Sequence, residues 1–175
     1  MMKISKSKVS SGTFDNTMDM LSAEEMQLRN IHGLRILVVD DQKESAKLLA
    51  LILKNEGADA RWVTSVAEAF EVIDSFHPSI IVSDLSMPQE DGFDLIRKFR
   101  LAHRLDEGGF VPAIAVSADG SEGAMQRSFE YGYQGFFPKP VEQKYLIEAI
   151  ASMALVHRML SDNFRRDSMP LSGSF

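Results

Sequence analysis

The chain has 175 residues, 45% of them hydrophobic, so it can bury the core of one compact domain but is too short for two full ones. The net charge is −6, and the acidic excess lies in residues 34–157, which argues against nucleic acid as a direct partner. The absence of cysteine excludes disulfides and thiolate metal sites, and no stretch approaches the roughly 18 apolar residues of a membrane span, so we expect a cytoplasmic location.

The first 33 residues are predicted to form an N-terminal extension. Residues 1–21 are rich in Ser, Lys, Thr and Asp and have no sustained hydrophobic period, which is typical of a disordered segment. Ser22 and Glu25 then fit a capping box, in which two side chains satisfy the free N–H groups at a helix start. We expect a short helix at about 23–31, either as a frayed lead-in or as a surface that docks on a partner or a second copy.

Short apolar runs alternate with helical patterns from residue 34 to about 157. The runs ILVV, SIIV and AIAV carry too little polar alternation for a sheet with one wet face, so they predict strands buried on both faces. Such strands, separated by helices, form a parallel sheet with right-handed crossovers. We predict a doubly wound α/β domain over 34–157, followed by a C-terminal tail, 158–175. The predicted strands are 34–40, 58–63, 79–85, 113–117 and 135–137, and the predicted helices are 43–56, 66–76, 92–103, 120–132 and 141–157.

Polar side chains stand at the carboxyl ends of several predicted strands. Asp40 and Asp41 end the first strand, Asp84 ends the third, Ser117 ends the fourth, and Lys139 follows the fifth. In an open parallel sheet the ligand site lies beyond these strand ends, where the strand order reverses. Because all five occupy the same relative place in their elements, we expect them to converge on one site.

The chemistry of this set predicts phosphoryl transfer assisted by a metal ion. Three clustered carboxylates repel one another unless a cation joins them, and an oxygen-rich site of this charge suits Mg²⁺. A phosphate entering the site would meet the metal, the ammonium group of Lys139 and the hydroxyl of Ser117. Asp84 supplies a carboxylate that can form an acyl phosphate.

The residues of this site resemble the receiver domain of two-component response regulators, including single-domain chemotaxis regulators. The resemblance covers 34 to about 157 and rests on Asp40-Asp41, DLSMPQEDG at 84–92, Ser117-Ala118 after AIAV, and FFPKP at 136–140. It implies the flavodoxin-like receiver fold, with a five-stranded parallel sheet in the order 2-1-3-4-5 and five helices. Pro138 agrees with this order, because the fifth strand then lies at the sheet edge.

The resemblance also implies roles for individual residues. Asp84 is expected to be the phosphoacceptor, Ser117 the hydroxyl residue that follows the phosphoryl group, and Lys139 the lysine that pairs with it. Phe136 matches the aromatic residue whose rotamer reports the phosphorylated state, although its position alone would predict ordinary edge packing. The expected Mg²⁺ ligands are Asp40, Asp41, Asp84 and the main-chain carbonyl of Ser86.

The predicted function is that of a response regulator receiver. A histidine kinase or a histidine phosphotransfer protein would donate the phosphoryl group to Asp84, and the chain would catalyse only its own phosphorylation and dephosphorylation. The signal would leave by protein contact, through the face formed by the fourth helix, the fifth strand and the fifth helix. A homodimer is also compatible with the resemblance.

Several alternatives keep some of these features. The chain could serve as a phosphorelay intermediate, as a receiver associated with a hybrid histidine kinase, or as a receiver-shaped binding module that works without phosphorylation. A phosphohydrolase with an aspartate nucleophile is disfavoured, because such enzymes usually carry a second acid two residues after the nucleophile. Two residues after Asp84, position 86 is Ser. A flavodoxin-like cofactor binder is disfavoured because the DDQKES stretch after the first strand repels phosphate unless a metal is bound.

Overall fold

The fold is a strict alternation of five strands and five helices. A computed structural model describes residues 30–103 and 110–167, with side chains as far as residue 156. The strands are β1 (Arg35–Val39), β2 (Asp59–Val63), β3 (Ile80–Asp84), β4 (Ala113–Ser117) and β5 (Gly135–Pro138). The helices are α1 (Lys43–Asn55), α2 (Val66–Phe76), α3 (Gly92–Ala102), α4 (Glu122–Tyr131) and α5 (Gln143–Asp167).

The five strands form one parallel sheet in the order β2-β1-β3-β4-β5, which confirms the predicted fold. Successive side chains of β1 point to opposite faces: Ile36 and Val38 enter one core cluster, and Leu37 and Val39 enter the other. Because helices cover both faces, the run ILVV has no wet side, which is why it lacks polar alternation. Pro138 lies in the edge strand β5, where a missing N–H is tolerated.

The register of the sheet brings the strand ends to one edge. Val39 pairs with Ser83, Asp84 pairs with Val116, and Ser117 pairs with Pro138. The chain runs outward from β1 to β2 on one side and from β3 to β5 on the other, so the strand order reverses between β1 and β3. Ligand sites of open α/β sheets lie at such a point.

Helix α5 is longer than the sequence pattern predicted. It continues to Asp167, ten residues beyond the predicted end at 157 and into the segment assigned to the C-terminal tail. The sequence between Pro140 and Pro170 contains neither Gly nor Pro, so no residue there breaks the helix. Helix α4 begins two residues later than predicted, because the Ser121 side chain accepts a hydrogen bond from the backbone N–H of Ala124 and caps the helix.

The end of the predicted N-terminal extension contributes to the core. Ile31 is fully buried and packs in the cluster on the α1 and α5 side of the sheet. The N–H of Gly33 donates to the carbonyl of Gly57 and ties this segment to the end of α1. The short helix predicted at about 23–31 lies almost entirely outside the described residues, and the described positions Asn30 and Ile31 are not helical.

Candidate functional site

Lys139 joins two carboxylates at the strand ends. Its Nζ donates 2.9 Å hydrogen bonds to Oδ2 of Asp40, which follows β1, and to Oδ2 of Asp84, the last residue of β3. The side chain of Asp84 is only 4% exposed and that of Asp40 only 10%. Two nearly buried negative charges thus share one cation, which lowers the cost of removing them from water.

The second oxygen of each carboxylate is held by the backbone. Oδ1 of Asp40 accepts a 2.9 Å hydrogen bond from the N–H of Gln42, and Oδ1 of Asp84 accepts a 3.0 Å bond from the N–H of Ser86. In both cases the donor is two residues farther along, in the loop that leaves the strand. The two carboxylates are therefore fixed in orientation at both oxygens.

The charges of this cluster also act on Lys139. Burial alone would lower the pKa of its ammonium group, but the hydrogen bonds and negative charges of Asp84 and Asp40 outweigh burial and raise the pKa above its ordinary value. Lys139 is therefore a permanent cation at neutral pH. Lys139 was predicted at this edge from its place after the fifth strand, but no local pattern specifies that it bridges both acids.

The carboxylates of Asp40, Asp41 and Asp84 form a group that could hold a metal ion. One oxygen from each lies within 4.8 Å of the others. Oδ1 of Asp41 is buried and accepts no hydrogen bond from any residue that the structure describes. A buried carboxylate oxygen without a donor is costly unless a cation approaches it. Carboxylate oxygens are the ligands that suit Mg²⁺, so the residues present fit that ion.

Ser117 ends β4 at the same edge of the sheet. Its side chain is buried, and its Oγ accepts a 3.1 Å hydrogen bond from the N–H of Asp119. Its carbonyl accepts a 2.7 Å bond from the N–H of Lys139. Ser117 and Lys139 are thus joined by a backbone hydrogen bond at the ends of adjacent strands. A movement at the end of β4 would therefore shift the end of β5.

Two further predicted site residues occupy the expected parts of the fold. Ser86 is exposed in the loop directly after β3, and its role as a carbonyl ligand stays a prediction. Phe136 is half-buried in β5 and packs against the core cluster on the α2 and α3 side of the sheet. This contact fits edge packing, and it leaves the proposed switch role of Phe136 as a prediction.

Gly92 is a site-supporting residue that the sequence reasoning did not single out. A Cβ added there would lie 2.4 Å from the carbonyl oxygen of Asp84 and 2.9 Å from the Cα of Leu85. Only glycine permits α3 to start this close to the end of β3. The sequence carried a signal for the position of Gly92 near the site, because the Asp91-Gly92 pair ends the stretch DLSMPQEDG that begins at Asp84.

The chain is similar to known proteins in both sequence and fold. A family model described as the response regulator receiver domain matches residues 36–151. The chain belongs to this family. It is 33% identical over 128 residues to an uncharacterized 14.6 kDa protein of Leptolyngbya boryana, covering 73% of this chain and 95% of that one. It is also similar to the crystal structure of a response regulator receiver domain protein from Methanospirillum hungatei, with 25% identity, a TM-score of 0.64, and coverage of 73% of this chain and 98% of that chain.

Other relatives are much larger than the matching region. The sensory/regulatory protein RpfC of Xanthomonas campestris is 24% identical over 133 residues, which cover 75% of this chain but only 18% of that protein. Hybrid signal transduction histidine kinase D of Dictyostelium discoideum is 33% identical over 127 residues, covering 69% of this chain and 8% of the kinase. Within the part of the chain that the structure describes, we find no helix with the length and apolar character needed to cross a bilayer.

Proposed function

We propose that the chain is a response regulator receiver that accepts a phosphoryl group on Asp84. The observation that carries the proposal is the position of this nearly buried carboxylate, which lies beside two other acids and shares Lys139 with one of them. An aspartate nucleophile needs charge neutralisation at the incoming phosphate, and this site supplies it. Membership of the receiver family supports the same reaction.

The chain's own residues have distinct parts in this reaction. A carboxylate oxygen of Asp84 would form the new P–O bond while the nitrogen of the donor's phosphohistidine keeps the electron pair of the broken P–N bond. Lys139 would move its hydrogen bond from the Asp84 carboxylate to a phosphoryl oxygen, and the Ser117 hydroxyl would donate to another. Mg²⁺, held by Asp40, Asp41, Asp84 and the Ser86 carbonyl, would neutralise charge on the phosphoryl oxygens when bound.

We propose a histidine kinase or a histidine phosphotransfer protein as the donor, and a protein partner as the recipient of the signal. The proposed output face is formed by α4, β5 and α5, and Phe136 is the proposed switch residue within it. Support comes from α4, where Met125 and Phe129 are 37% and 47% exposed, whereas Ser128 is the one buried residue of that helix. A helix with so little buried surface can shift at low cost and offers apolar side chains to a partner. We propose that the chain catalyses only its own phosphorylation and dephosphorylation.

Incubation with acetyl phosphate and Mg²⁺, followed by phosphoprotein analysis, tests the assignment of Asp84. The wild-type chain should gain one phosphoryl group, and Asp84→Asn should gain none, because an amide does not form the acyl phosphate. Asp119→Asn, which changes an exposed acid near the site, is the matched control and should still be labelled. Equal labelling of wild type and Asp84→Asn would refute the assigned acceptor.

A second candidate is a receiver that passes its phosphoryl group on within a phosphorelay. The similarity to the sensory/regulatory protein RpfC and to a hybrid histidine kinase favours it. In that case the phosphorylated chain should transfer its label to a histidine phosphotransfer protein faster than it loses the label to water.

Retention of full partner binding by Asp84→Asn would instead indicate a module that works without phosphorylation.

A further inference from the structure

A buried tyrosine lies beneath the candidate site and is not used in the proposed reaction. Tyr133 follows α4 in the chain and is only 3% exposed. Its hydroxyl donates a 2.6 Å hydrogen bond to the carbonyl of Gly92, the first residue of α3. This bond connects the end of α4 with the end of residues 85–91, the acceptor loop, which leads from Asp84 to α3.

The point that Tyr133 contacts is packed directly against the backbone of Asp84. The N–H of Gly92 donates a 3.2 Å hydrogen bond to the carbonyl of Leu85, so the two ends of the acceptor loop meet there. A Cβ at Gly92 would lie 2.4 Å from the carbonyl oxygen of Asp84 and 3.0 Å from the hydroxyl oxygen of Tyr133. Because Gly92 packs this closely against the end of β3, we expect a displacement of Gly92 to shift the backbone of Asp84.

A second hydroxyl lies in the same buried region. Ser83 is fully buried, and its Oγ donates a 2.8 Å hydrogen bond to the carbonyl of Asp84. Burial raises the pKa of Tyr133, and the nearby hydroxyl of Ser83 only partly opposes the rise. Tyr133 therefore stays protonated and remains a donor at neutral pH. Buried hydroxyls in an apolar cluster need such partners, which makes their positions specific.

The backbone around Tyr133 is itself anchored to the far end of α3. The guanidinium group of Arg100 donates to the carbonyl of Gly132 at 3.0 Å and to the side-chain oxygen of Gln134 at 3.0 Å. It also donates to the carbonyl of Val111 at 2.6 Å. Its Cζ atom lies over the ring of Phe110, 4.2 Å from the ring centre. Residues 132–134, the α4–β5 junction, thus hold α3 at both of its ends.

We propose that Tyr133 is a positioning residue for the phosphoryl-transfer site, because its hydrogen bond to Gly92 sets the position of the acceptor loop. The inference rests on the proposed function of Asp84 and adds a residue that does not touch the reacting atoms. The loop carries the Ser86 N–H that orients the Asp84 carboxylate. A loop that moves by a few tenths of an ångström would therefore turn that carboxylate away from its place in the acidic group.

Tyr133→Phe is the variant that removes the hydroxyl and keeps the ring. Isothermal titration calorimetry with MgCl₂ should give a Mg²⁺ affinity about three- to tenfold weaker than that of wild type, because the variant lacks one hydrogen bond that holds the loop. Hydrogen exchange of residues 85–91, measured in EDTA, should be faster in the variant. Tyr131→Phe is the matched control, because it removes a hydroxyl from a 42% exposed tyrosine two residues away and should leave both quantities unchanged.

The outcomes separate this inference from the proposed function. If wild type is labelled by acetyl phosphate but Tyr133→Phe matches it in Mg²⁺ affinity and loop exchange, the inference is overturned and the function stands. A lower unfolding temperature with unchanged Mg²⁺ affinity would also overturn it, since that result describes a merely structural role. Absence of wild-type labelling would instead overturn the proposed function.

Arg100→Lys provides a second test if Tyr133→Phe does not fold. It releases the planar hydrogen bonds that hold the α4–β5 junction while keeping the charge. Arg100 lies at the opposite end of α3 from the acidic group, so it can affect Mg²⁺ affinity only indirectly, through the junction or along α3 itself. We expect weaker Mg²⁺ binding in the same direction as for Tyr133→Phe, and an unchanged affinity would contradict the proposal.

Discussion

Lys139 is the residue whose position matters most to the charge balance of the site. It reaches Asp40 and Asp84, residues 99 and 55 positions away in the chain, with one hydrogen bond to each. Three carboxylates collected at one strand edge would otherwise raise one another's proton affinity. The lysine therefore has a structural part in the metal-free protein, in addition to its proposed part in phosphoryl transfer.

Replacement of Lys139 by Met should destabilise the metal-free protein. Breaking a buried ion pair costs about 3–5 kcal/mol, and because a quarter of the Lys139 side chain is exposed we expect a smaller loss, about 1–3 kcal/mol. Urea unfolding in EDTA measures this difference. Lys98→Met, which breaks an exposed ion pair with Glu90, is the control and should change the free energy of unfolding by less than about 1 kcal/mol. Equal losses in both variants would contradict the structural part given to Lys139.

At the scale of elements, the start of α3 is the most tightly specified boundary near the site. Asp91 caps the helix through a reciprocal capping box with Asp94, and Gly92 then packs against the end of β3. The capping side chains determine where α3 begins, and the glycine determines how closely it approaches Asp84. By contrast, α4 buries only Ser128 and is held less firmly.

Gly92→Ala should be more harmful than an ordinary glycine substitution in a helix. The new methyl group would overlap the Asp84 carbonyl, and overpacking of this kind costs about 1–3 kcal/mol. Urea unfolding should show this loss. Gly123→Ala is the control in α4, where a Cβ meets only ordinary contacts, and we expect it to stabilise the protein by roughly 0.5–1 kcal/mol. An undiminished stability of Gly92→Ala would mean that α3 can move away from β3 freely.

For the molecule as a whole, the sheet order is what turns separate strand ends into one site. The reversal between β1 and β3 brings Asp40 beside Asp84, and the β3-β4-β5 order continues the same edge to Lys139. A ligand that binds only this assembled site stabilises the folded state by mass action. Metal binding and folding should therefore be coupled.

Addition of Mg²⁺ should raise the unfolding temperature. At 100 times its dissociation constant the ion adds about 2.7 kcal/mol to the free energy of unfolding. Circular dichroism with MgCl₂, compared with NaCl at equal ionic strength, measures the effect. Asp41→Asn should lose most of it, because Asp41 is a proposed ligand and the amide lacks the negative charge that attracts the ion. Asp59→Asn, which changes an exposed acid of β2, should keep it, and equal stabilisation of the two variants would contradict the proposed site.

The structure matches the sequence predictions best where one local rule decided an element. Each strand was predicted to within one residue at either end, because runs buried on both faces are bounded by polar or turn residues. Helix α2 was predicted over its full length, 66–76, where Ser65 supplies the cap. The extent of α5 was underestimated: the prediction ended at residue 157, although no Gly or Pro interrupts the sequence before Pro170.

The amino-acid sequence by itself determined the fold class and the set of polar residues at the strand ends, because both follow from hydrophobic periodicity and from the place of each residue within its own element. The strand order was implied only by the resemblance to receiver domains, and the structure confirms it. Only the tertiary structure decided that Lys139 bridges Asp40 and Asp84, that Ile31 completes the core, and that Tyr133 reaches Gly92. Such contacts join residues far apart in the chain, and their distances depend on how helices pack on the sheet, which no local pattern encodes.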